Sequence, residues 1–144
     1  MAKGNEKILL VDDDVDFVAS TRAFLQGRGY QVETAANGTE GWQKIQAGTP
    51  DLVLLDIMMD YDAEGFNLAY QLRQDKALGK TPIIIVSGFS RHLNEKIKEF
   101  EFVLGQEWPA DAYFEKPVEL KELAKSIDRI VSNLDGRVAA ESTH

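Results

Sequence analysis

The sequence predicts an α/β protein: a doubly wound, five-stranded parallel sheet in the order 2-1-3-4-5 with five helices. Three observations carry that expectation. Short apolar runs at Ile8–Val11, Leu52–Leu55, Ile83–Val86 and Tyr113-Phe114 read as strands buried on both faces, the pattern of a parallel sheet covered by helices. Stretches of helical apolar periodicity separate them, so strand and helix alternate along the chain. Each run also ends on polar residues: Asp12-Asp13-Asp14, Asp56, Ser87, and Glu115-Lys116-Pro117. Ligands of open parallel sheets bind beyond the carboxyl ends of the strands, and this strand order puts the switch point between strands one and three.

The elements follow in order. Lys7–Val11 is the first strand. Asp14 stands at the N-cap of a helix whose stripe is Val15, Phe17, Val18, Thr21, Phe24 and Leu25, with Gly27 and Gly29 at its end. Tyr30–Ala35 is a second strand. Asn37-Gly38 is a turn, Thr39 an N-cap, and Gly41–Ala47 a short helix stopped at Gly48. Asp51–Asp56 is the third strand, and an acidic loop runs from Ile57 to Gly65. A helix is expected over Phe66–Leu78, then a turn and the fourth strand, Ile83–Val86. Ser90 or Asn94 caps a fourth helix carrying Leu93, Ile97, Phe100, Val103 and Leu104, ended by Gly105. Ala112–Phe114 is the fifth strand. Val118, Leu120, Leu123, Ile127, Ile130, Val131 and Leu134 form the stripe of a last helix. Residues 1–6 are expected to be disordered, 7–134 to be the domain, and 135–144 to be a flexible tail.

Bulk properties narrow the function. A chain of 144 residues suggests one domain, which buries roughly 68–70% of its unfolded surface at this size. It has no cysteine, so neither disulfides nor thiolate metal sites arise. No apolar run approaches the ~18 residues of a membrane span, and the polar start lacks a secretory h-region. A cytoplasmic protein without membrane association is expected. The formal net charge of −8 argues against a nucleic-acid surface.

The strand-end residues suit metal-assisted phosphoryl transfer onto a carboxylate. Carboxylates held close repel one another unless a cation compensates. Mg²⁺ takes one or two protein carboxylates and keeps open positions for water and phosphate. Asp12, Asp13, Asp56 and the backbone carbonyl of Met58 are the candidate ligands, with Mn²⁺ as a substitute ion. Asp56 ends the central strand and is the candidate nucleophile, since carboxylates form aspartyl-phosphates. Such transfer needs positioning and charge neutralisation above all. Lys116 supplies a point charge and Ser87 a hydroxyl for phosphoryl oxygens. Pro117 holds the loop tight, through a cis bond that only X-Pro reaches cheaply.

With these motifs in order at strand ends, the chain resembles the receiver domain of two-component response regulators in its single-domain form. The matching residues are Asp12-Asp13 after ILLV, Asp56 after DLVLL, Ser87-Gly88 after IIIV and Lys116-Pro117 after AYFE, over about Lys7–Leu134. The resemblance implies the flavodoxin-like fold. It implies Mg²⁺-dependent transfer of a phosphoryl group from a histidine kinase, or a histidine phosphotransfer protein, to Asp56. Slow self-catalysed hydrolysis follows, so the chain is a phosphoacceptor and not an enzyme. Ser87 would be the switch hydroxyl and Tyr113 the switch aromatic. Their movement would alter the face of the fourth helix, fifth strand and fifth helix that meets a downstream protein, as a monomer or a phosphorylation-dependent dimer. No output domain is read after Leu134, so the output is expected to be another protein or a relay histidine.

Three features depart from that family's pattern. The loop after Asp56 usually carries Met-Pro and reaches a glycine eight residues on; here Asp60 follows Met59 and Gly65 stands nine residues after Asp56. The span from Ser87 to Lys116 is longer than usual, which predicts an extension around Phe100–Trp108. The two positions that tune water access fall on Met58 and Phe89, both apolar, which predicts a long-lived phosphoryl state.

Plainer readings exist for each residue alone. Asp12-Asp13-Asp14 would serve as an acidic helix cap, Lys116 as a solvated lysine and Tyr113 as core. Their joint placement favours the chemical reading. His92 and His144 are lone and at expected surface or tail positions. Phe100, Phe102 and Trp108 read as core filler, or as a partner site. Two other functions compete: a pseudo-receiver that docks partners without phosphorylation, favoured by the altered loop, and a phosphatase with an aspartyl intermediate. The phosphatase usually needs a second aspartate where Met58 stands.

Overall fold

The computed structural model describes residues 6–56, 64–87, 98 and 110–142. The chain runs β1 (Lys7–Val11), α1 (Val15–Gly27), β2 (Gln31–Ala35), α2 (Gly38–Ala47), β3 (Leu52–Leu55), α3 (Glu64–Gln74), β4 (Ile83–Ser87), β5 (Ala112–Glu115) and α4 (Leu120–Ser142). Here α4 is the last of the expected helices. The expected helix before it, with Phe100, Phe102 and Trp108, lies outside the described residues apart from Lys98. All neighbouring strands pair in parallel, in the order β2-β1-β3-β4-β5.

Alternation along the central strands makes two cores. Leu9, Val11, Val53, Leu55, Ile83 and Ile85 face one side and pack with Ile45 of α2 and Leu68, Ala69 and Leu72 of α3. Ile8, Leu10, Leu52, Leu54, Ile84 and Val86 face the other and pack with Leu25 of α1 and Leu123, Ala124, Ile127 and Val131 of α4. The continuous apolar runs are therefore double-sided, as a covered parallel sheet requires. Each fully buried Leu or Ile contributes about 1.5–3 kcal/mol by leaving water. β5 departs from that expectation. It is an edge strand with alternating burial, and Tyr113 is 56% exposed.

Local chemistry sets the element ends. Asp14 caps α1 by accepting from the Phe17 N–H, and Gly29 leaves the helix at φ 98°. The cap of α2 is Asn37, two residues ahead of the expected Thr39. Its side chain accepts from the Glu40 N–H at 2.8 Å, while the Glu40 carboxylate accepts from the Ala36 N–H at 3.1 Å. This reciprocal pairing is close to a capping box, which a threonine two residues later could not make. Inside α2, a Cβ on Gly41 would sit 3.0 Å from Leu68 Cδ2 and 3.1 Å from Val11 Cγ2. Its absence lets α2 lie close against β1 and α3.

The helix α3 occupies Glu64–Gln74, not Phe66–Leu78. It stops because the Asp75 carboxylate accepts from the N–H groups of Ala77 and Leu78, both at 2.9 Å, in place of further helical bonds. The helix α4 extends past Leu134, where a tail was expected, to Ser142. Arg137, Ala139, Ala140 and Glu141 are strong helix formers, and the ~1 kcal/mol cost of Gly136 does not break the run. At the other terminus Glu6 is joined to the sheet through its carbonyl, which accepts from the Gln31 N–H at 3.0 Å. Glu6, expected to belong to a disordered start, is therefore held against the sheet.

One polar knot joins α4 to the turn between α1 and β2. Arg28 Nη2 and Tyr30 Oη each donate to an Asp128 carboxylate oxygen at 2.5 Å. Burial alone would raise the Asp128 pKa, but the hydrogen bonds from Tyr30 and Arg28 outweigh it and hold the group below its usual range. Burial and the Asp128 bond together push the buried Tyr30 hydroxyl upward. A carboxylate with a depressed native pKa contributes stability that is complete above its unfolded value of about 3.9 and lost as the pH falls through the native value. Asp128→Asn is therefore expected to lower the unfolding free energy by about 1–3 kcal/mol at neutral pH. In urea titrations the gap between variant and wild type should narrow as the pH falls below about 4.

Candidate functional site

The site is set by the backbone at the ends of β1 and β3. These strands pair with Val11 opposite Leu55, so the next residues, Asp12 and Asp56, emerge side by side. The sheet ladder continues one residue beyond the strands: the Asp12 N–H donates to the Ala35 carbonyl at 3.0 Å, and the Asp56 N–H to the Val11 carbonyl at 2.9 Å. Both aspartates therefore start from fixed backbone. Both side chains are almost wholly buried. Asp13 is half-buried beside them, and one carboxylate oxygen from each of Asp12, Asp13 and Asp56 lies within 4.8 Å of the others.

Lys116 reaches this cluster from the far edge of the sheet. It follows β5, whose Glu115 pairs with Ser87 of β4, so Ser87 ends the strand that separates Lys116 from Asp56. The Lys116–Pro117 bond is cis. Lys116 Nζ donates to Asp12 Oδ2 at 2.8 Å and lies 3.5 Å from Asp56 Oδ2 and 3.9 Å from Asp14 Oδ2. The other Asp12 oxygen, Oδ1, accepts from the Asp14 N–H at 2.9 Å. The Lys116 ammonium also stands 4.5 Å from the centroid of the Phe17 ring.

Three carboxylates, those of Asp12, Asp56 and Asp14, thus gather around one ammonium, and Asp13 lies beside Asp12 and Asp56. Burial is the main cause that raises the Asp12 pKa to about 6, and the charge of Asp56 adds to it. Lys116 and the Asp14 N–H pull the other way. Burial by itself would lower the Lys116 pKa, but Asp12, Asp56 and Asp14 together hold it above its ordinary value. The lysine stays charged, and negative charge remains in excess. A hard divalent cation answers that excess, because all the donors are oxygens. Asp12, Asp13 and Asp56 fit Mg²⁺ or Mn²⁺ by donor type and spacing.

The structure thus brings together Asp12, Asp13, Asp56 and Lys116 from the candidates named in the sequence, and places Ser87 at the same strand edge. Tyr113 lies on β5 with its ring exposed. Met58 and Phe89 lie outside the described residues. Two neighbours of Lys116 were missed by sequence reasoning: Asp14, taken only as a cap, and Phe17, taken only as part of a helical stripe. The spacing of an acidic cap and an aromatic three residues later was visible, but not that both turn toward a lysine just beyond β5.

Comparison with known proteins agrees with this geometry. A family model described as the response regulator receiver domain matches residues 8–128. The chain is 35% identical, over 96% of its length, to the alkaline phosphatase synthesis transcriptional regulatory protein PhoP of Bacillus subtilis, and it spans 53% of that relative. It is 33% identical to protein PilH of Pseudomonas aeruginosa, covering 88% of this chain and 98% of PilH. Among solved structures it is similar to the response regulator TrrA of Thermotoga maritima, in complex with Mg(2+)-BeF, at a TM-score of 0.71 and 30% identity, covering 87% of this chain and 98% of that one.

Added Mg²⁺ is expected to stabilise the native chain, by about 2.7 kcal/mol at one hundred times its Kd. Thermal unfolding across a Mg²⁺ titration measures this. Asp13→Asn should shift the titration to higher concentration by at least the roughly tenfold that even outer-shell changes produce at metal sites.

Proposed function

The chain belongs to the response regulator receiver domain family, and on that premise we propose that Asp56 accepts a phosphoryl group from a phosphohistidine on a histidine kinase or histidine phosphotransfer protein. The observation that carries this reading is a buried carboxylate at the end of the central strand, flanked by two further carboxylates and faced by a buried-side ammonium at 3.5 Å. A member of this family is a signalling phosphoacceptor rather than a turnover enzyme. Among the described residues no helix is long and apolar enough to cross a membrane.

Each residue has a definite task. An Asp56 carboxylate oxygen attacks phosphorus and the P–N bond breaks; the donor imidazole, already protonated on its other ring nitrogen, takes the bonding pair and leaves neutral. The ladder bond from the Asp56 N–H fixes the attacking group, which matters because such transfers depend on positioning more than on covalent help. Asp12, Asp13, Asp56 and the Met58 carbonyl would hold Mg²⁺, which when bound neutralises phosphoryl oxygens. Lys116 now favours Asp12 over Asp56, by 2.8 Å against 3.5 Å. A phosphoryl group on Asp56 extends toward the ammonium and gives it a closer acceptor. Ser87 supplies a hydroxyl donor from β4 and acts as the switch residue. The exposed Tyr113 ring supports a switch role, because an outward ring has an inward position to move to when the hydroxyl is drawn to the phosphoryl group. The change would then be read by a downstream protein on the β5–α4 edge, together with the helix expected before β5.

A docking module that works without phosphorylation is the second reading. The nine-residue spacing from Asp56 to Gly65 favours it, because the loop that supplies a metal ligand is lengthened.

Incubation with acetyl phosphate and Mg²⁺ is expected to add one phosphoryl group, read by intact mass, and Asp56→Asn should abolish the gain. Lys116→Met should slow labelling roughly a hundredfold, the scale of losing one donor to a developing anion. No label, and no spectral response to beryllofluoride, would favour the docking module. With Met58 and Phe89 unable to orient an attacking water, the purified phosphoprotein should lose its group over minutes or longer, and a half-life of seconds would refute that expectation.

A further inference from the structure

We propose that Phe17 is a positioning residue for Lys116: its ring holds the ammonium on the Asp12–Asp56 side of the site and away from Asp14. This rests on the phosphoryl-transfer reading above and adds to it a side chain that carries no polar group. The Lys116 ammonium lies 4.5 Å from the Phe17 ring centroid, inside the range in which a cation is attracted to a ring face. The ring is itself fixed. Its backbone N–H donates to Asp14 Oδ1 at 3.1 Å, and its side chain packs against the core layer that contains Ile8, Leu10, Leu25 and Leu123. Asp14 is in turn tied to the site, because its N–H donates to Asp12 Oδ1. Asp12, Asp14, Phe17 and Lys116 therefore form one closed set of contacts.

The need for such a wall comes from Asp14. Lys116 has three carboxylates within reach, and Asp14 Oδ2, at 3.9 Å with a 49% exposed side chain, is the one that draws it outward. An ammonium paired to Asp14 could not serve a phosphoryl group on Asp56. Asp12 and Asp56 hold Lys116 from the inner side, at 2.8 and 3.5 Å. The Phe17 ring offers no hydrogen-bond acceptor, so the lysine's donors stay with the carboxylates while the ring attracts the charge as a whole. Phe17 and Lys116 also line one cavity of about 510 Å³ with Asp14, Thr21 and Pro117. Removing the ring would enlarge this cavity, which Lys116 and Asp14 share, and give the lysine stem more room to move between them.

The test uses the full chain, saturating Mg²⁺ and acetyl phosphate, so that no partner docking enters. Two readouts are taken: the labelling rate, and the NMR shifts of the Lys116 side chain in unphosphorylated protein, where a ring face leaves a distinct upfield displacement. Phe17→Leu is expected to abolish the displacement and slow labelling roughly three- to tenfold, the scale of a cation–π contact. Phe17→Tyr should retain both. Asp14→Asn keeps the helix cap, since asparagine caps as well as aspartate, and in the Phe17→Leu background it should recover most of the lost rate. The proposal is overturned if Phe17→Leu leaves shifts and rate unchanged, if Phe17→Tyr is as slow as Phe17→Leu, or if Asp14→Asn brings no recovery. If wild type and every variant stay unlabelled, phosphoryl transfer itself fails, and the Lys116 shifts alone decide where Phe17 holds the ammonium.

Discussion

Asp12 and Asp56 are almost completely withdrawn from water, and both lie within reach of the one ammonium of Lys116. Isolated buried carboxylates are costly, and two of them side by side are costlier. The raised pKa of Asp12 reports that cost, and the upward shift of Lys116 reports the partial compensation. The rest of the molecule serves to keep these charges where they are. Ladder bonds donated by the two aspartate N–H groups to the Ala35 and Val11 carbonyls fix these residues, the two apolar layers hold the strands against their helices, and the loop after β5 delivers the lysine.

Such an arrangement is poised more than it is stable. A buried ion pair seldom adds much net stability, because desolvation cancels most of the attraction. Its value here is specificity of placement. Negative charge exceeds positive at one point of the surface, so the site favours a small hard cation and, with it, an anionic group. The polar knot at Asp128 contrasts with it. There one carboxylate is matched by Arg28 and Tyr30, its pKa falls, and the result is a brace between α4 and the turn before β2. The same residue type thus braces the fold where one cation matches it, and leaves negative charge in excess where several carboxylates share one ammonium.

Much of this was legible in the residues. The double-sided runs Leu52–Leu55 and Ile83–Val86 admit only a covered parallel sheet, and a parallel sheet exposes its strand ends. Asp12, Asp56 and Lys116 could be picked out because each terminates such a run. Helix boundaries were less legible. Asn37 outcompetes Thr39 as a cap because Glu40 can answer it, and Asp75 ends α3 early through side-chain bonds. The polar stretch after Leu134 reads as a tail by hydropathy but is helical by propensity. Tyr113 looked interior because it sits in an apolar run, yet an edge strand has an open face.

By itself the sequence determined the alternation of strands and helices, the two-sided burial of the central strands and the polar groups that end them, since these follow from hydrophobic period and run length. Only the tertiary structure decided how those groups share charge. That Lys116 prefers Asp12 to Asp56, that Asp14 competes for it, and that the Phe17 ring lies beside it depend on distances between residues far apart in the chain. Periodicity says which face a side chain occupies. Coulomb and cation–π interactions vary over a few ångströms, a scale that is fixed only when strands, caps and loops are packed together.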